Sequence, residues 1–120
     1  MESRLENALG KISISSNAIA NIVANATLSC PGVLGMGMKS FTEGIVNLLG
    51  REQPSKGVEV SISGDKVSID VFIIVSYGTN IPELGDVIAR NIKSDLERFT
   101  GLIVSSINVN VVGISSSKEV

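Results

Sequence analysis

Val58-Glu59-Val60-Ser61-Ile62-Ser63-Gly64-Asp65-Lys66-Val67-Ser68-Ile69-Asp70-Val71-Phe72-Ile73-Ile74-Val75 is the stretch that decides the fold. Apolar and polar residues alternate up to Ser63, and an apolar row at every second residue resumes at Val67. Period-two alternation marks a half-buried strand, because successive side chains leave opposite faces. Gly64-Asp65 supplies a two-residue turn, and glycine in its first place suits type II′. That turn sets Ser63 opposite Lys66, hence Val60 opposite Ile69 and Val58 opposite Val71. The two apolar faces then coincide, whereas a slip of one residue would set them back to back. Val71 to Val75 is apolar at every position, which places the second strand of this hairpin at the centre of a sheet.

Outward from the hairpin, Lys11 to Ser15 alternates and reads as a short strand. Ser16 or Asn17 caps a helix carrying Ile19, Ile22, Val23 and Ala26. It stops near Ser29, since Pro31 lacks an amide hydrogen. Gly32 to Gly37 reads as a short extended turn. Phe41, Ile45, Leu48 and Leu49 mark a short amphipathic helix, and Arg51 to Lys56 a polar linker. After the hairpin, Asn80 caps a long helix with Pro82 and Glu83 in its first turn. Its apolar stripe is Ile81, Leu84, Val87, Ile88, Ile92, Leu96 and Phe99, and it ends at Thr100-Gly101. The last strand runs from Leu102 to Val112, with Ile107, Val109 and Val111 on one face and Ser106, Asn108 and Asn110 on the other. The order β-α-β-β-α-β, with one extra short helix, predicts an α+β two-layer sandwich. A ferredoxin-like split βαβ layout satisfies the handedness rule for crossovers. Residues 1–10 are expected to be loosely ordered, 11–114 to form a single domain, and 115–120 to be a frayed polar tail.

Composition excludes several classes of function. The 120 residues are 43% hydrophobic and 18% charged, with a formal net charge of -2, so no basic surface is on offer to a phosphate backbone. Aromatics make up 3%, too few for a base-stacking platform. There is no histidine, which removes the usual general base, metal ligand and pH switch. The single cysteine, Cys30, cannot form an internal disulfide, so the chain reads as intracellular. Met1 to Glu6 lacks the apolar core of a signal peptide. The longest aliphatic or aromatic run, Val71 to Val75, is far short of the roughly 20 residues of a membrane span.

The motifs that could carry chemistry are sparse. Cys30 reads as a small buried hydrophobe, since no charged residue nearby in sequence would activate it. A serine nucleophile would need Lys56 or Lys66 as its base, and both read as strand-edge or turn lysines. Gly32 to Gly37 lacks the Gly-Lys-Ser/Thr ending of a phosphate loop. The hairpin register does set Glu59 opposite Asp70, a pair that could hold a cation weakly but that reads first as a solvated face. Asp86, Asp95 and Glu97 interleave with Arg90, Lys93 and Arg98 along the long helix and demand no ligand. The outer face of the sheet is otherwise polar, so Phe72 and Ile74 stand out on it, joined by Val112 at a strand end. Such a patch is covered either by the helix around Phe41–Leu49 or by a second copy of the chain, and the second copy is favoured.

The chain resembles the alkaline-shock, or envelope-stress-response, proteins of Gram-positive-type bacteria. The resemblance covers about Gly10 to Ile114. It rests on Gly10-Lys11-Ile12-Ser13-Ile14, Pro31-Gly32-Val33-Leu34-Gly35-Met36 and Leu48-Leu49-Gly50-Arg51. These are followed by Ser55-Lys56-Gly57-Val58-Glu59-Val60, by Val67 to Val75, by Tyr77-Gly78-Thr79-Asn80-Ile81-Pro82-Glu83, and by Thr100-Gly101-Leu102 with Ile107 to Gly113. What the resemblance implies is a cytoplasmic protein with no catalytic residue, cofactor or metal. Some members self-associate, and some are held at the membrane by a separate anchored partner. The expectation is therefore a structural or interaction protein, a homo-oligomer that binds no nucleic acid and does not insert in the membrane. The competing expectation is a regulatory module binding a small metabolite between subunits, near Gly35 or Gly78.

Overall fold

The structure is a computed structural model and describes residues 2–7, 10–37 and 54–116. In chain order these form β1 (Glu2–Asn7), β2 (Gly10–Ser15), α1 (Ser16–Leu28), β3 (Val33–Met36), a 3-10 turn (Pro54–Gly57), β4 (Val58–Ser63), β5 (Lys66–Ser76), α2 (Ile81–Thr100) and β6 (Ile103–Ser115). The predicted helix around Phe41–Leu49 and the last residues of the predicted tail lie outside the described residues.

β5 organises everything else. It pairs with β4 in the register expected from the turn, with Ser63 opposite Lys66, Val60 opposite Ile69 and Val58 opposite Val71. Gly64 takes φ +64°, while Asp65 keeps a negative φ, as a type II′ turn requires. Beyond Val71 the same edge of β5 is taken by β3, with Met36 opposite Ile73 and Val33 opposite Val75. The Gly37 amide, donating to the Phe72 carbonyl at 2.7 Å, bridges the two segments. β3 and β4 are thus two collinear pieces of one row. Gly57 packs where the row resumes: a Cβ there would lie 2.8 Å from the Gly37 carbonyl oxygen. The other edge of β5 pairs along its whole length with β6, in parallel. A parallel neighbour needs a crossover, and α2 supplies it.

The α+β sandwich expected from the sequence is present, but the split βαβ order is not. That order would seat the Lys11–Ser15 strand inside the sheet. This strand lies in β2, which among the described residues pairs only with β1, Leu5 opposite Ile12, in a separate antiparallel hairpin. The reason is occupancy: β3 and β4 fill one edge of β5 and β6 fills the other. Glu2–Asn7, expected to be loose, is a strand because β2 offers it a full ladder of backbone partners. Gly32 to Gly37, expected to be a turn, holds β3.

Both helices cover one face of the sheet. α1 is capped by Ser15, one residue earlier than expected, whose hydroxyl accepts from the Ala18 amide at 3.1 Å. α1 buries Ile19, Val23, Ala24 and Ala26. α2 begins at Asn80, whose side-chain oxygen accepts from the Glu83 amide at 3.2 Å. It ends on Gly101 at φ +75°, a left-handed cap that glycine adopts without strain. Leu84, Ile88, Ile92 and Leu96, four residues apart, meet Val67, Ile69, Val71, Ile73 and Val75, and all nine are buried in one core. Fully burying such a side chain stabilises the fold by about 1.5–3 kcal/mol. Ile81 and Phe99, expected on this stripe, are exposed at its ends.

Candidate interaction surface

The polar candidates stay apart or bond among themselves. Glu59 stands opposite Asp70, as the register requires. Asp70 accepts from the Asn108 amide nitrogen at 2.8 Å, so the carboxylate is engaged across the β5–β6 ladder. No group of three His, Cys, Asp or Glu side chains among the described residues could hold a metal ion. Cys30 is buried, as expected, and its sulfur receives a hydrogen bond from Asn91 Nδ2 at 3.2 Å. Lys56 and Lys66 are exposed, on the 3-10 turn and at the start of β5. A hollow of ≈ 260 Å³ beside the Gly78 turn is lined by Pro31, Thr79, Asn80, Glu83, Leu84 and Val87. It gathers one carboxylate and one amide over an apolar floor, and neither Gly35 nor Gly78 lines it.

The apolar candidates do come together. A Cβ on Gly37 would lie 2.5 Å from Val112 Cγ2 and 3.7 Å from Ile74 Cγ1, so Ile74 and Val112 meet at that glycine on the outer face. Their exposure differs from the expectation. Phe72 is 9% and Ile74 5% exposed within a single chain, and Val112 is half-buried. The outer pair is therefore already covered before any second copy arrives.

Apolar surface that remains open lies around β6, which sequence reasoning treated only as a closing strand. Ile103 and Ile114, near its two ends, are 47% and 57% exposed. Tyr77, whose amide donates to the Ser115 carbonyl at 2.8 Å, is exposed beside the far end. Phe99 precedes the near end, with the Arg98 guanidinium 4.7 Å from its ring centroid. Along β6, Val104, Ile107, Val109 and Val111 pack on the core but stay partly buried. The signal in the sequence was the absence of any charge from Ile103 to Ser115.

The described residues thus define a two-layer α+β domain with an apolar strand edge and with no assembled catalytic or metal constellation among them. No helix among them is long and apolar enough to cross a membrane. A family model, that of the alkaline-shock protein 23 family with a cell envelope-related function, matches residues 4–116, and the chain belongs to that family. It is 36% identical to the YloU protein of Bacillus subtilis over 115 residues, 95% of this chain and 96% of that one. It is 34% identical to YqhY of the same organism over 106 residues, 88% of this chain and 78% of that one. A Streptococcus pyogenes stress response regulator, a gls24 homolog, is 27% identical over 110 residues, 92% of this chain and 62% of the longer relative. Among solved structures, a MamM CTD variant is similar in fold, with a TM-score of 0.50 at 15% identity, covering 84% of this chain and 95% of that one.

Proposed function

We propose that this chain is a non-catalytic interaction protein that self-associates and supports the cell envelope under stress, held at the membrane by a separate anchored partner. Membership of a family with a cell envelope-related function, over residues 4–116, carries the reading. The stress-response description of the gls24 homologs supports the role under stress.

The test has two arms. Light scattering of the purified protein across concentrations should give a mass above that of one chain. Affinity capture of the tagged protein from native membranes, followed by mass spectrometry, should recover a membrane-spanning protein that a tag-only control does not. A protein that stays monomeric and leaves membranes without a partner refutes the reading.

A further inference from the structure

We propose that the open edge of β6 is where one copy of this chain pairs with another, strand antiparallel to strand, about a two-fold axis at Val109. This rests on the self-association reading above and names its surface.

Edge strands present unpaired N–H and C=O groups, and proteins guard them with charges, prolines, short length or a covering element. β6 has few of these guards. Among the described residues it pairs with β5 alone, so no strand pairs with its other side. It runs for 13 residues, Ile103–Ser115, without one charged residue or proline. Three of its polar side chains, Ser105, Asn108 and Asn110, are turned back onto β5. Ser105 Oγ donates to the Val67 carbonyl at 3.0 Å, and Asn110 Nδ2 to the Val71 carbonyl at 3.2 Å. Asn108 does the same toward Asp70. The opposite side of the sheet is guarded: β4 is six residues long, carries Glu59 and has β1 against it. The helix reaches the β6 edge at one place near its start, where Glu97 Oε2 accepts from the Val104 amide at 3.1 Å. A groove of ≈ 290 Å³ separates Ala89, Arg90 and Lys93 of α2 from the strand at Val104 to Ile107.

The occupant follows from what a two-fold pairing would bring together. Register shifts at Ser105 and Val112 bend the strand's ends and leave Ser106 to Val111 as the regular run. Val109 is the midpoint of β6. With Val109 opposite its own copy, Ile107 faces Val111 of the second chain, and Asn108 faces Asn110. Apolar residues meet on the helix side and amides on the other. The helix-side row, only partly buried in one chain, is completed by the second. A slip of one residue would set the apolar row against the amides. A two-fold interface sets a strand against itself, so any charge near the axis would face its like; β6 has none.

The test uses the full chain. Asn108→Lys with Asn110→Lys sets lysines opposite lysines across the axis, and Asn108→Glu with Asn110→Glu does so with carboxylates. Sedimentation velocity should show the wild type associating, each double variant with a Kd raised about tenfold or more, and an equimolar mixture of the two recovering the wild-type mass. A wild type that associates beside a folded Lys variant of unchanged mass overturns the edge and leaves self-association standing. A wild type that is monomeric throughout overturns self-association itself. If the charged variants fail to fold, Val109→Cys decides. Mild oxidation should cross-link it to a covalent dimer while Ser94→Cys, on an exposed stretch of α2, stays uncross-linked; equal yields from the two overturn the proposal.

Discussion

Gly37→Ala tests the joint at which β3 hands the sheet edge to β4. The new methyl would sit 2.5 Å from Val112 Cγ2, closer than any van der Waals contact allows, and 3.7 Å from Ile74 Cγ1, which is ordinary contact. The Gly37 amide is meanwhile fixed to the Phe72 carbonyl at 2.7 Å, so the backbone cannot simply withdraw. Forcing one methyl into such a site costs about 1–3 kcal/mol. Val112→Ala alone removes two methyl groups from a half-buried side chain, about 1 kcal/mol at roughly 0.8 kcal/mol per fully buried group. It also removes the atom that Gly37→Ala would strike. The double variant should therefore be about as stable as Val112→Ala, giving a coupling as large as the cost of Gly37→Ala, about 1–3 kcal/mol. Urea titrations of the four proteins measure it, with melting midpoints as a second reading at about 3–5 °C per kcal/mol for this size. If Gly37→Ala costs the same with valine or alanine at position 112, the close approach of β3 to Val112 is wrong.

Three further outcomes are expected. Asn80→Ala should lower stability by about 1 kcal/mol, because it leaves the Glu83 amide without its cap, whereas Asn80→Asp should keep it; thermal melts that cannot tell the two apart would remove Asn80 as the cap. Ile92→Ala, in the middle of α2 and fully buried, should cost about 2–5 kcal/mol in urea titration, and a loss below about 1 kcal/mol would mean that α2 does not pack on the sheet there. Purified protein should stay at the bottom of a flotation gradient with neutral or anionic vesicles, since its described helices offer neither a span nor a basic amphipathic face; stable co-flotation would make the anchored partner unnecessary.

Local chemistry made the hairpin and α2 legible in the sequence. Gly64-Asp65 fixes a register that the alternation on both sides confirms, and Asn80, Pro82 and Gly101 mark α2 at both ends. Each of those signals is complete within a few residues. The arrangement of the sheet is not, because it depends on which strands compete for β5. Val33 to Met36 reads as a turn in isolation, since two glycines flank it and a third interrupts it. It becomes a strand only because β5 runs five residues past the end of β4 and leaves donors and acceptors for it to satisfy. Lys11 to Ser15 has the better strand pattern, yet finds that edge taken and pairs with β1 instead.

The same dependence on the whole sheet bears on the exposure of the interface candidates Phe72, Ile74 and Val112. Alternation along β5 correctly sends Phe72 and Ile74 to the face away from the helices, and from sequence alone that face looks open. In the folded chain both are buried, with Val112 leaning toward Ile74 from the far strand. Val112 can do so because the ladder shifts there, and no residue pattern announces a register shift. A patch covered within one chain offers a second copy little new area, so the proposed association would draw on what stays unsatisfied. In the proposed pairing that is the β6 edge, which among the described residues pairs with β5 alone, whose Ser105, Asn108 and Asn110 side chains bond inward, and whose Ile107, Val109 and Val111 are only partly buried. The Lys and Glu double variants probe that edge while leaving Phe72, Ile74 and Val112 untouched. A mass that falls in each and returns in their mixture would place the contact on the strand rather than on the apolar patch.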